Sequence, residues 1–97
     1  MVTKSLLVKL IAKPGKETAV EEFLKGGLGF VAQEPLTQTW YALKFADGSY
    51  GIFDSFDDES GRDAHLGGKV AEALMANAAE LFSVAPVIEK VDIIAVK

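Results

Sequence analysis

From Lys4 to Lys13 apolar and polar positions alternate along the chain. Leu6, Val8, Leu10 and Ala12 fall on one side, and Ser5, Leu7, Lys9, Ile11 and Lys13 fall on the other. A period of two is that of a strand with one face firmly buried. The second face is mixed, because Leu7 and Ile11 stand among the lysines. Pro14-Gly15 ends the run as a turn. From Gly15 to Gln33 the period lengthens: Val20, Phe23, Leu24, Leu28 and Val31 recur at spacings of three and four, with Glu17, Glu21, Glu22 and Lys25 opposite them. This spacing predicts an amphipathic helix. Gly26, Gly27 and Gly29 weaken its last turns by about 1 kcal/mol each relative to alanine, which suits a kink, a close approach to a sheet, or a frayed end. Pro35 stops it.

Thr37 to Phe45 is rich in Thr, Trp, Tyr and Phe, which favour strands. Asp47-Gly48 is a hairpin signal, and Ser49 to Phe56 reads as the partner strand. Alternation then puts Trp40, Ala42, Gly51 and Phe53 on one face of the hairpin. Tyr41, Leu43, Phe45, Tyr50, Ile52 and Phe56 take the opposite face. Asp57-Asp58-Glu59-Ser60 suits a helix N-terminus, where such side chains cap free N–H groups and meet the positive end of the helix dipole. One helix is expected from there to about Leu81, burying Leu66, Val70, Ala73, Leu74, Ala78 and Leu81. Val87 to Val96 is the last strand, with Val87, Val91, Ile93 and Ala95 on one face.

The order is therefore β-α-β-β-α-β, the ferredoxin-like plan of an α+β fold. Right-handed crossovers place two helices on one face of a four-stranded antiparallel sheet. The other face stays uncovered, yet both faces of the hairpin are too apolar for a solvated surface. An exposed apolar area of that extent marks an interface. The expectation is a homodimer, two sheets packed face to face around a lined pocket, with residues 1–97 forming a single domain.

Composition narrows the functional classes. The chain has 97 residues and a net charge of −4, and its ten Lys and Arg residues form no run. Without a clustered positive face there is no expected nucleic-acid partner and no anionic-membrane partner. No apolar stretch approaches the roughly 20 residues of a membrane span. There is no cysteine, so disulfides, Cys-based zinc, iron–sulfur clusters and thiol nucleophiles are excluded together. A cytoplasmic protein is expected, and the charged segment MVTKSLLVKLIAK does not read as a signal peptide.

Several segments carry a resemblance to a known family. They are Gln33-Glu34-Pro35 before the second strand, the aromatic strand Trp40-Tyr41-Ala42-Leu43, and Gly51-Ile52-Phe53-Asp54-Ser55-Phe56-Asp57-Asp58-Glu59 running into Ala64-His65-Leu66. With the element order, they make the chain resemble the antibiotic biosynthesis monooxygenase domain of the dimeric α+β barrel proteins, over about Lys4 to Ala95. The resemblance implies oxidation of a phenolic or quinol-like small aromatic molecule without metal, flavin or other cofactor. Haem-degrading relatives use a first-strand Asn with a Trp and a late-helix His. The single Asn here is Asn77, on the second helix, so that triad does not carry over and haem is not expected.

His65, the only histidine, is the candidate catalytic base, since its charge changes near neutral pH; the plain alternative is a packing histidine. Trp40, Tyr41, Tyr50 and Phe53 are candidates for a substrate-binding lining, with core or dimer packing as the alternative for each. Arg62 is a further candidate and the expected ion-pair partner of Asp54. Asp57, Asp58 and Glu59 read as caps, not metal ligands, and no metal site is expected. Gly67-Gly68-Lys69 lacks the spacing of a phosphate loop. Two readings follow: a cofactor-independent monooxygenase or quinol oxidase, and a non-catalytic dimer that binds an apolar metabolite or serves in a stress response.

Overall fold

The computed structural model describes residues 1–97. Strand β1 spans Lys4–Leu10, helix α1 Glu17–Val31, strand β2 Thr37–Lys44, strand β3 Tyr50–Phe56, helix α2 Glu59–Leu66, helix α3 Lys69–Leu81 and strand β4 Val87–Asp92. The four strands form one antiparallel sheet in the order β2-β3-β1-β4. This is the expected ferredoxin-like α+β fold. No helix is long and apolar enough to cross a membrane.

The core lies between one sheet face and the helices. Val8 and Leu10 of β1 and Tyr50 and Ile52 of β3 meet Val20 and Leu24 of α1 and Leu74 and Leu81 of α3. Burying such side chains contributes about 1.5–3 kcal/mol each. The glycines of α1 serve a close approach. A Cβ on Gly27 would stand 3.4 Å from the indole of Trp40, so the helix rides low over that ring and continues unbroken to Val31.

Four expectations need correction. The second helix is two helices. Gly67 N–H and Gly68 N–H close α2 on the carbonyls of Asp63 and His65. Gly68 then turns extended, at φ −90° and ψ −178°, and starts α3. The last strand ends at Asp92, because β1 begins at Lys4 and Asp92 is its register partner; Ile94 beyond it is 99% exposed. Asp54 does not pair with Arg62. The Arg62 guanidinium donates to the carbonyls of Ser5 and Val91 and lies 3.7 Å from Glu59.

The fourth concerns the faces of the hairpin. Residues directly opposite in an antiparallel pair share a face. Trp40 stands opposite Asp54, Tyr41 opposite Phe53, Ala42 opposite Ile52 and Leu43 opposite Gly51. Trp40 and Ala42 therefore share the helix-side face with Tyr50, Ile52 and Phe56, and Tyr41 and Leu43 join Phe53 on the open face. The cause is the connection. Gly48 takes φ +88°, and Phe45 N–H donates to Ser49 O at 2.8 Å around a three-residue loop. One residue more than a two-residue turn moves the register by one, and every side chain changes face.

Candidate functional site

A carboxylate on the core-facing side of a strand must find a partner, since an unpaired buried charge is costly. Asp54 is that carboxylate. It is 1% exposed among Leu6, Ile52 and Phe56, and its Oδ1 accepts from Leu6 N–H at 3.1 Å. Its partner is His65. The imidazole Nε2 lies 3.1 Å from Asp54 Oδ2, an ion-pair contact. Nδ1 lies 2.6 Å from Glu34 Oε1. The only histidine in the chain is thus clamped between two carboxylates, with 6% of its surface exposed.

Local sequence builds this clamp. Asp58 caps α2 by accepting from Gly61 N–H at 3.1 Å. A Cβ on Gly61 would come within 3.2 Å of Leu36 O and 3.3 Å of Phe56 Cβ. The glycine therefore lets this face of α2 lie down on β3 and on the segment before β2. His65 follows four residues later on the same face. The ring of Phe56 packs against it at 5.5 Å between centroids. Glu34 is held by the chain around it, its N–H donating to Val31 O and its Oε1 accepting from Thr37 Oγ1 at 2.7 Å.

Burial alone pushes the His65 pKa down, but the Asp54 contact and then the Glu34 contact outweigh it, and the pKa stands above the ordinary 6.5. The clamp favours the imidazolium. His65 also forms part of two concavities. One is a solvent-open groove of about 260 Å³ between residues 33–37 and α2. The other is a narrow apolar cleft of about 20 Å³ between sheet and α2–α3, reached also by Asp54, Leu66, Val70 and Ile88. The cleft has room for a water molecule; the groove has room for a small ring. Chemically, the imidazolium can give up a proton and the half-buried carboxylate of Glu34 beside it can accept one.

The other candidate residues do not converge on His65's groove. Tyr50 is buried in the core, and its hydroxyl donates to Glu21 Oε2 at 2.6 Å at the far side of the sheet's helix face. Trp40 lies under α1, its Nε1–H buried and without a partner. Tyr41, 54% exposed, and Phe53 stand together on the open face. Arg62 is buried and committed to two backbone carbonyls of the sheet. What sequence reasoning missed was the role of Glu34, noted there only as part of a motif, and the pairing of Asp54 with His65. The alternation that put Asp54 among buried positions was a usable signal. It required a buried cation, and α2 offers two, Arg62 and His65, one turn apart.

No family model matches the chain, and no curated protein matches it. Solved structures do. NE2512, a protein of unknown function from Nitrosomonas europaea, is 50% identical, with 100% of this chain and 94% of that one covered at a TM-score of 0.95. The chain belongs to the family of NE2512. More distant structures share the fold of this NE2512-family chain. Rv0793 from Mycobacterium tuberculosis matches at 15% identity over 96% of each chain, with a TM-score of 0.85. A protein described as an antibiotic biosynthesis monooxygenase matches at 14% identity over 95% of this chain and 99% of that one, with a TM-score of 0.80. The resemblance to the antibiotic biosynthesis monooxygenase domain is borne out as a likeness of fold.

Proposed function

We propose that this protein is a cofactor-independent oxidase or monooxygenase of a small quinol-like or phenolic aromatic molecule. One observation carries the reading: its single histidine is a buried acid–base group, held between two carboxylates in the wall of an open groove. Oxidation of such substrates by dioxygen begins with loss of a proton, which makes an electron-rich anion. In the quinol case the substrate gives up two electrons and two protons, and dioxygen becomes hydrogen peroxide. In the monooxygenase case an activated CH₂ becomes C=O, and the second oxygen atom leaves as water. Both need a group that takes a proton early and gives one back late. The fold shared with a protein described as an antibiotic biosynthesis monooxygenase supports the same reading.

The homodimer belongs to this proposal. Leu7, Tyr41, Leu43 and Phe53 leave an apolar open sheet face, and a second copy of that face is the covering that matches it. Light scattering at micromolar concentration should give twice the chain mass, with more than about 1,000 Å² buried between copies. A monomeric mass would remove the dimer from the reading.

The functional test is oxygen uptake by metal-free, flavin-free protein against a panel of hydroquinones, anthrones and phenols, beside His65→Ala. The expected result is turnover that drops in the variant. Absence of turnover across the panel would sink the oxidase reading for these substrates.

A further inference from the structure

Both nitrogens of His65 are occupied. Nδ1 faces Glu34 at 2.6 Å and Nε2 faces Asp54 at 3.1 Å. A substrate hydroxyl can reach neither without displacing a carboxylate, and little of the residue is exposed. Glu34 differs in both respects. Its side chain is 21% exposed. Its Oε1 takes both internal contacts, from Thr37 and from His65, and Oε2 takes none. Oε2 points toward Gly68, where an added Cβ would come within 3.2 Å of it. The glycine keeps that oxygen accessible. Beside it lies a second groove of about 250 Å³, whose wall includes Phe30, Gln33, Glu34, Gly68 and Lys69. Phe30 is about half exposed, and Lys69 is solvent-exposed with no ion-pair partner.

We propose that Glu34, not His65, is the catalytic residue that meets the substrate, and that a single-ring phenol or quinol binds in the groove between Phe30 and Lys69 with its hydroxyl on Glu34 Oε2. This rests on the oxidase reading above and names the site at which that reading operates. Phe30 supplies an apolar face for the ring, and the Lys69 ammonium stands on the side where phenolate charge develops. The substrate O–H bond breaks and its proton passes to Glu34. Glu34 receives it on Oε2, while the protonated His65 holds Oε1 through Nδ1–H and faces Asp54 through Nε2–H. That imidazolium lies between Glu34 and Asp54 and keeps its protons through the step. The quinolate reduces dioxygen by two electrons. The stored proton and that of the second hydroxyl complete hydrogen peroxide, and quinone leaves. Asp54 touches no substrate; it is the positioning residue that steadies the imidazolium. The charged groups facing His65 are Glu34 from the segment before β2 and Asp54 from β3, with Arg62 alongside on α2.

The test combines binding with turnover. Hydroquinone is titrated under nitrogen into wild type, Glu34→Gln and Phe30→Ala while backbone amide NMR shifts are followed. Oxygen uptake is then measured on the same samples across pH. The expected binding result is shifts centred on Phe30, Ala64, Gly68 and Lys69. The expected kinetic results are a kcat about 100-fold lower in Glu34→Gln, within the usual range for a general base, and a raised KM with kcat retained in Phe30→Ala. The pH limb of kcat should move to lower pH in Asp54→Asn, a change that loss of fold alone would not produce. Shifts at the groove without turnover in any sample would keep the site and discard the oxidase reading. Turnover that survives Glu34→Gln, or shifts centred elsewhere, would overturn this assignment while the oxidase reading stands. An absence of both would overturn it as well.

Discussion

Two polar clusters tie the helices to the sheet, and they differ in almost every physical respect. At one, Glu34, His65 and Asp54 join the segment before β2, helix α2 and strand β3, with the two inner members buried. At the other, Tyr50 of β3 donates to Glu21 of α1, and Lys44 of β2 adds an ion pair at 3.3 Å. There the side chains of Glu21 and Lys44 are 40% and 60% exposed. Water can replace every contact of the second cluster and almost none of the first. The difference teaches where acid–base chemistry can be held: a charge kept from water must be answered by its neighbours, so its protonation is set by the fold.

The sharpest way to break the comparison is to remove one central member. His65→Gln keeps hydrogen-bonding groups but deletes the only cation between two carboxylates. Asp54 is then left buried and uncompensated. Breaking a buried pair in this way costs about 3–5 kcal/mol. Urea denaturation at neutral pH should show a loss of that order. A loss under about 1 kcal/mol, the usual range of an exposed pair, would mean that the two clusters are energetically alike.

The clusters should also respond to opposite ends of the pH scale. The folded pKa of His65 lies above its unfolded value near 6.5. Its contribution is therefore complete below about pH 6.5 and is lost as pH rises through the folded pKa. Glu21 has a folded pKa below 4.5, because the Tyr50 hydroxyl and then Lys44 hold its charged form. Its contribution is present above that value and is lost as pH falls through the folded pKa. Denaturation midpoints should decline from pH 6 upward in wild type, and this component should be missing in His65→Gln. The same decline in the variant would assign it to other groups.

The sequence made the first cluster only partly legible, for identifiable reasons. Periods of two and of three to four marked all four strands and the helical segments, because burial of one face imposes them. The helix break at Gly67-Gly68 escaped notice, since Leu66 and Val70 keep helical spacing across it. The hairpin faces were reversed because Asp47-Gly48 suits a two-residue turn, and a single residue of loop decides the parity. His65 stood out as the only histidine. Glu34 did not, because nothing in Gln33-Glu34-Pro35 says which way a loop carboxylate turns. That direction is set by Thr37 and by the descent of α2 on Gly61, both tertiary facts.

The weaker cluster supplies the finer tests. Tyr50→Phe removes a hydroxyl whose partner can turn to water, so the loss should be clear but smaller than that of His65→Gln. Lys44→Ala should be smaller still. An exposed ion pair gains little in high dielectric and is screened by salt, and many such pairs contribute nothing measurable. The comparison predicts a small midpoint difference between wild type and Lys44→Ala at low ionic strength that vanishes at 1 M salt. There the Debye length falls to about 3 Å. The His65→Gln difference should persist at that salt, because little solvent or salt reaches the contact between a side chain 6% exposed and another 1% exposed. If salt erased both differences alike, the His65 clamp would be solvent-accessible, and its imidazole could not hold a proton apart from water during a reaction.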